Sequence, residues 1–125
     1  MILVDTSVWI GLLRGKGPAV KEEDLLQFAT CGPVVQEVLQ GLKPGPASDA
    51  FRSRFLALPV LSDPIPLDLY LSAAAIYRDG RRRGLTIRSS VDCLIAAISI
   101  QNAVPIWHKD RDFDTIARFT SLETV

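Results

Sequence analysis

The residues of this sequence best suited to chemistry are five carboxylates from four separate parts of the chain: Asp5, Glu37, Asp92, Asp110 and Asp112. Carboxylates forced into one crevice repel one another and raise each other's pKa, so a fold tolerates them only where a cation compensates the charge. Oxygen ligands without a Cys and His set favour Mg²⁺ or Mn²⁺ over Zn²⁺. The sequence therefore predicts a site for a hard divalent ion.

We assign the five acids different roles. Asp5, Asp92 and Asp110 are predicted to bind the metal directly or through water, and Glu37 is predicted to be a ligand or a base that positions water. Asp112 is predicted as an outer ligand, and the choice between Asp110 and Asp112 for the closer position stays open, with Asp110 preferred. A metal-bound water of lowered pKa suits phosphodiester cleavage, with one ion or two.

Each acid also has a purely structural explanation. Asp5 is placed to cap a helix that begins at Val8, and Asp92 is the third helical residue of a capping box that begins at Ser89. Asp110 and Asp112 could simply be turn residues, since aspartate is common in turns. The metal hypothesis therefore depends on all the acids meeting at one place in the fold.

Short apolar runs alternate with helical patterns along the chain. Strands are predicted over residues 2–4, 29–32, 59–61 and 104–107. Helices are predicted from residue 8, over 20–29, from 33, over 51–58, over 67–83 and after 89. This alternation predicts an α/β fold with a mostly parallel sheet of four to five strands, flanked by helices on both faces.

The predicted topology gives a reason for the acids to converge. Ligands of parallel sheets bind beyond the carboxyl ends of the strands. Asp5 follows the first strand directly, and Asp110 and Asp112 lie just beyond the last one. Helix N-termini at the same edge would bring Glu37 and Asp92 toward them.

Composition limits the class of protein. With 125 residues, 48% of them hydrophobic, the chain suits a single domain over 1–125 with a substantial core. No segment has the pattern of a signal peptide or approaches a membrane span, so we expect a cytoplasmic protein. Cys31 and Cys93 are expected to be buried, reduced thiols.

The formal net charge of zero does not by itself indicate a nucleic-acid partner, but the distribution of charge is uneven. Five arginines lie close together in the sequence: Arg78, Arg81, Arg82, Arg83 and Arg88. The last four are candidates for contact with RNA or an acidic partner, although a basic helix end is also common for its favourable dipole interaction.

Three further residues are candidates for a role at or near the site. His108 is near the predicted site and is a candidate for contact with phosphate or for proton donation, yet a single His at a strand end is more often structural. Thr6 is predicted to hydrogen-bond a ligand side chain. Trp9 suits base stacking, but its apolar neighbours favour packing or contact with a partner.

Four motifs together resemble the PIN-domain ribonucleases, most closely the VapC toxins of toxin–antitoxin pairs, and the resemblance runs the full length. They are the segments Met1-Ile2-Leu3-Val4-Asp5-Thr6-Ser7-Val8-Trp9-Ile10, Val34-Val35-Gln36-Glu37-Val38-Leu39-Gln40-Gly41, Arg88-Ser89-Ser90-Val91-Asp92-Cys93-Leu94-Ile95-Ala96-Ala97 and His108-Lys109-Asp110-Arg111-Asp112-Phe113-Asp114-Thr115-Ile116-Ala117. Each motif alone is weak, but their order and spacing are specific.

This resemblance implies a PIN fold and Mg²⁺- or Mn²⁺-dependent endoribonuclease activity that inhibits translation or growth. It also implies a homodimer and neutralisation by a VapB-type antitoxin whose C-terminal tail wraps the toxin. The acidic quartet of the family corresponds to Asp5, Glu37, Asp92 and the pair Asp110 and Asp112.

Two other functions are compatible with parts of the sequence. A Mg²⁺-binding phospho-acceptor domain would use Asp63 after its strand, but this leaves Glu37 and Asp92 without a role. A non-catalytic interaction module would keep the fold while its acids only cap helices. The complete set of acids argues against the second alternative.

Overall fold

A computed structural model describes residues 1–125, which form four strands and six helices. The strands are β1 (Ile2–Val4), β2 (Phe28–Cys31), β3 (Val60–Leu61) and β4 (Ile106–Trp107). The helices are α1 (Thr6–Leu13), α2 (Gly32–Gln40), α3 (Pro46–Leu56), α4 (Leu67–Arg82), α5 (Ser90–Gln101) and α6 (Arg111–Ala117). A 3₁₀ segment, Glu22–Gln27, precedes β2.

The strands form one parallel sheet in the order β3-β2-β1-β4. The central strand β1 pairs Ile2 with Phe28 on one side and Leu3 with Ile106 on the other. Thr124 adds an isolated parallel bridge to Ile106, so the C-terminal residues extend the sheet at that edge. The predicted α/β fold, a parallel sheet of four to five strands flanked by helices, is confirmed.

The core is continuous from the sheet into the helices. Leu3 and Val4 of β1 are fully buried, as are Ile95 and Ile98 of α5. Helix α5 is apolar around most of its circumference and lies against α4, α6 and α2. Because α5 is held on several sides, the acid in its first turn has a fixed position.

The structure differs from the predicted elements at four places. Residues 20–29 do not form one helix, because Phe28–Cys31 is completely buried between β1 and β3 and its backbone pairs with both. Helix α1 begins at Thr6 rather than at Val8, since the carboxylate of Asp5 caps it there. Helix α6 was not predicted, and α3 begins earlier than expected, at Pro46.

Cys31 and Cys93 are free and buried, as expected. Burial raises the pKa of the Cys31 thiol to about 12 and that of Cys93 to about 11. Both thiols therefore serve as small apolar groups in the core. None of the helices is both long enough and apolar enough to cross a lipid bilayer.

Shortening one buried side chain of α5 tests how much this helix contributes to stability. Ile95→Ala should lower the free energy of unfolding by about 2–5 kcal/mol, because the side chain is fully buried and its removal leaves a cavity. Leu26→Ala, at a side chain of the 3₁₀ segment that is 84% exposed, should change it by no more than about 0.5 kcal/mol. Urea denaturation followed by circular dichroism measures both, and equal losses would contradict the assignment.

Candidate metal centre

The five predicted acids face a common site at the carboxyl edge of the sheet. Asp110 connects them electrostatically, because its negative charge contributes to raising the pKa of Asp5, of Glu37 and of Asp92. Asp5 follows β1, Asp110 lies in the turn after β4, and Glu37 and Asp92 come from α2 and α5. The acids lie on different elements and meet only in the folded chain.

The position of Asp5 is fixed by its own turn. The Asp5 carboxylate is buried and accepts hydrogen bonds from the backbone N–H of Ser7 at 3.0 Å and from the Ser7 hydroxyl at 2.6 Å. The Ser7 hydroxyl in turn accepts the backbone N–H of Lys109 at 3.0 Å. Burial raises the pKa of Asp5, although these hydrogen bonds oppose the shift.

Ser7 is a site residue that sequence reasoning missed. Its hydroxyl joins the turn after β1 to the turn after β4, which are the two turns that carry Asp5 and Asp110. The spacing Asp-x-Ser identifies a helix cap. The bond to Lys109 spans 102 residues, so no local pattern reveals it.

Glu37 is held by α1. The buried Thr6 hydroxyl donates to Glu37 Oε1 at 3.0 Å, which joins the first turn of α1 to the second turn of α2. The structure thus places Thr6 beside a predicted ligand. Burial raises the pKa of Glu37, and the charges of Asp5 and Asp110 add to this shift.

Asp112 connects α6 to the start of α5. Its side chain is buried, with a residue exposure of 1%, and its two oxygens accept the backbone N–H groups of Arg88 at 3.1 Å and Ser89 at 3.0 Å. The predicted capping box at Ser89 is wrong, because the Ser89 side chain makes no capping hydrogen bond. In a capping box the third helical residue, here Asp92, would bind the backbone N–H of Ser89. Asp112 binds that N–H instead, and Asp92 pairs with the side chain of Asp112 rather than with the backbone of its own helix.

Asp92, Asp110 and Asp112 form the tightest acidic cluster. One carboxylate oxygen from each lies within 4.8 Å of the others, a spacing that Asp5 and Glu37 do not share. Burial, a hydrogen bond with Asp112 and the charges of Asp110 and Asp5 raise the pKa of Asp92 to about 8. Burial would also raise the pKa of Asp112, but hydrogen bonds from Arg88, Asp92 and Ser89 lower it overall.

The cluster fits a hard divalent ion. Its donors are all carboxylate oxygens, which suits Mg²⁺ or Mn²⁺. The guanidinium of Arg88 compensates part of the negative charge, and the pKa of Asp92, raised to about 8, favours a proton on that carboxyl group at neutral pH. The Asp110 side chain is 29% exposed, whereas that of Asp112 is 2% exposed. Asp110 is therefore the more accessible of the two.

His108 contacts the backbone of Asp110. Its Nδ1 accepts the backbone N–H of Asp110 at 3.1 Å, and its Nε2 lies 3.3 Å from Asp114 Oδ1. The imidazole is buried against the ring of Phe113. Both ring nitrogens are thus engaged within the protein, which favours a role in positioning Asp110 over proton donation.

The predicted basic residues divide into two sets. Arg88 pairs with the acids directly, through Nη2 at 2.9 Å from Asp110 Oδ1 and Nε at 3.4 Å from Asp112 Oδ1. Arg81, Arg82 and Arg83 are exposed at the end of α4 and make no ion pair with the five acids. Arg83 pairs with Asp79, at 3.4 Å.

Two other candidates lie outside the cluster. Trp9 is buried, with its ring edge-on to Phe28, Phe51 and Phe55, so it packs in the core. Asp63 is exposed and follows the edge strand β3, which does not place it with the acids. The structure therefore gives no support to phosphorylation at Asp63.

The sequence matches the PIN domain family over residues 2–119. It is 39% identical over 130 aligned residues to ribonuclease VapC11 of Mycobacterium tuberculosis, with 98% of this chain and 96% of that protein covered. Both proteins are therefore similar over nearly their whole length.

Solved structures show the same fold. VapBC2 of Rickettsia felis, bound to a promoter DNA fragment, has a TM-score of 0.72 at 17% identity, covering 100% of this chain and 98% of that one. VapBC-5 of Mycobacterium tuberculosis, a member of the VapBC family of toxin–antitoxin systems, has a TM-score of 0.63 at 22% identity. Coverage there is 98% of this chain and 95% of the other.

The shifted pKa of Asp92 predicts how the stability of the metal-free protein depends on pH. Between the ordinary aspartate pKa of 3.8 and about 8, the folded protein keeps a proton on Asp92 that the unfolded chain releases. The free energy of unfolding should therefore fall as pH rises through this window, with a slope of up to about 1.4 kcal/mol per pH unit. Urea denaturation in EDTA at several pH values measures it. Asp92→Asn should reduce the slope, and exposed Asp49→Asn should not.

The hydrogen bonds of Asp112 predict that its amide variant is less stable than that of Asp110. Asp112→Asn places an NH₂ group against one of two backbone N–H donors and should cost about 1–3 kcal/mol. Asp110→Asn keeps a good helix cap and should cost less than about 1 kcal/mol. Urea denaturation at neutral pH compares them, and the reverse order would exclude this role for Asp112.

Proposed function

Because this chain belongs to the PIN-domain family, and within it to the VapC ribonucleases, we propose that it is a Mg²⁺- or Mn²⁺-dependent endoribonuclease that hydrolyses RNA phosphodiester bonds. The observation that carries the proposal is the cluster of Asp92, Asp110 and Asp112 oxygens within 4.8 Å, beside the turn that holds Asp5. An all-carboxylate cluster of this kind suits metal-assisted hydrolysis of a phosphodiester.

Asp92, Asp110 and Asp5 would hold the ion, with Asp112 fixing the start of α5. When bound, the ion supplies a water of lowered pKa and neutralises charge that develops on the phosphate. Asp92 releases its proton to act as a ligand, so metal binding is linked to pH. Asp112 keeps its bonds to the Arg88 and Ser89 N–H groups and orients α5.

Glu37 is the proposed base. Its Oε1 is held by Thr6, whereas its other oxygen has no hydrogen-bond partner within the protein. Burial and the neighbouring acids raise its pKa, which strengthens it as a proton acceptor toward the attacking water. A base fixed at one oxygen and free at the other can orient a water molecule for attack on the phosphorus.

The basic end of α4 is the proposed contact for the RNA backbone. Arg81 and Arg82 are exposed there and are not paired with an acid. The segment that follows α4 leads directly to Ser90, where α5 begins, so the basic end and Asp92 are close in the chain. Positive charge at this helix end would attract the RNA phosphates.

We further propose that the chain is the toxin of a toxin–antitoxin pair, neutralised by a VapB-type antitoxin. The solved VapBC relatives of the same fold support this. A homodimer is supported by exposed apolar side chains on one part of α4, namely Leu67, Tyr70 and Leu71. Helix α4 carries Asp68 near its start and arginines at its end, so two antiparallel copies would match opposite charges.

Substitution of the proposed ligands tests the nuclease. Asp5→Asn and Asp92→Asn should each reduce Mn²⁺-dependent cleavage of total RNA by about 100-fold or more, because the charge that holds the ion is lost. Both variants should also lose the rise in melting temperature that Mn²⁺ gives the wild type. Gel analysis of RNA and thermal melting with and without Mn²⁺ measure these effects.

Asp49→Asn is the matched control for this experiment. It removes one exposed carboxylate from α3, outside the acidic cluster, and should leave cleavage and the Mn²⁺ shift unchanged. Cleavage by both Asp5→Asn and Asp92→Asn at the wild-type rate would refute the proposed metal-dependent mechanism.

A further inference from the structure

The Arg88 side chain pairs with two members of the acidic cluster. Its Nη2 lies 2.9 Å from Asp110 Oδ1 and its Nε 3.4 Å from Asp112 Oδ1, while half of the side chain is exposed to solvent. The guanidinium therefore neutralises part of the charge of these two carboxylates. This is a role that a metal ion would also fill.

The Arg88 guanidinium and a metal ion cannot bind the Asp110 carboxylate independently of each other. Asp110 Oδ1 already accepts the backbone N–H of Asp112 at 2.9 Å as well as the Arg88 guanidinium. A divalent ion at the cluster would compete for the Asp110 carboxylate and would repel the guanidinium at close range. Binding of the ion therefore favours a position of the Arg88 side chain farther from Asp110.

The backbone at Arg88 does not depend on its side chain. The N–H groups of Arg88 and Ser89 are bound by Asp112, so the segment before α5 stays in place when the guanidinium moves. The half-exposed side chain can thus exchange partners without any change in the fold. A freed guanidinium at the rim of a metal site is well placed for a phosphate, whose oxygens it can bind in pairs.

We propose that Arg88 is an exchangeable counter-ion: it pairs with Asp110 in the metal-free protein, weakens metal binding, and transfers to an RNA phosphate when the ion is bound. This inference rests on the proposed nuclease function and adds to it a coupling between metal and RNA. Arg88 thereby becomes a substrate-binding residue whose availability depends on the metal.

The proposal predicts that removing the Arg88 charge changes metal and RNA binding in opposite directions. Arg88→Gln should bind Mn²⁺ about three- to tenfold more tightly, because the competing cation is gone. The same variant should raise KM for a labelled mixed-sequence oligoribonucleotide by about tenfold at saturating Mn²⁺, because a phosphate contact is lost. Free Mn²⁺ measured by electron paramagnetic resonance gives the metal affinity, and initial rates give KM and kcat.

Two variants serve as controls. Arg88→Lys keeps the positive charge but lacks the planar guanidinium that binds a phosphate through two N–H groups. Its Mn²⁺ affinity should therefore be close to that of the wild type, while its KM should stay nearer to that of Arg88→Gln. Arg52→Gln removes an exposed α3 arginine that has no ion pair, and should change neither quantity. Circular dichroism checks that all variants are folded.

The outcomes separate the inference from the function on which it rests. If Arg88→Gln weakens Mn²⁺ binding and raises KM together, Arg88 only stabilises the site, and the inference is wrong. An unchanged Mn²⁺ affinity or an unchanged KM also overturns it. If the wild type itself binds no Mn²⁺, the proposed nuclease function fails instead.

Discussion

Both carboxylate oxygens of Asp112 accept backbone N–H groups at the start of α5, and the candidate site depends on this contact. It joins α6, which follows β4, to α5, and so fixes the distance between Asp110 and Asp92. It also takes the role that Asp92 would have in a capping box of its own helix. The Asp92 carboxyl group therefore binds no backbone N–H of its own helix and lies near the acids that follow β1 and β4.

The electrostatics of the site follow from this division of roles. Hydrogen bonds stabilise the charged form of Asp112 and lower its pKa. Burial of Asp92 and the negative charges around it have the opposite effect and raise its pKa to about 8. The raised pKa of Asp92 and the guanidinium of Arg88 both reduce the repulsion among the acids. Similar residues only a few ångströms apart therefore differ in chemistry because their hydrogen-bond donors differ.

The sequence predicted much of the fold because most elements are locally consistent. The apolar run at 2–4, Pro33 at the start of α2 and the pattern of α4 each agree with the structure. Prediction failed where tertiary pairing overrides local pattern, as at Phe28, which ends a helix-like segment and enters a buried strand. It also failed at Ser89, whose capping partner comes from another helix.

The sequence by itself determined which acids are present, that they follow strands or begin helices, and that the chain resembles the PIN-domain ribonucleases. Only the tertiary structure decided how each acid is used. The bonds from Arg88 and Ser89 to Asp112, from Thr6 to Glu37 and from Lys109 to Ser7 span 23 to 102 residues. Local sequence periodicity does not encode such partners, because they are set by how the sheet brings its strand ends together.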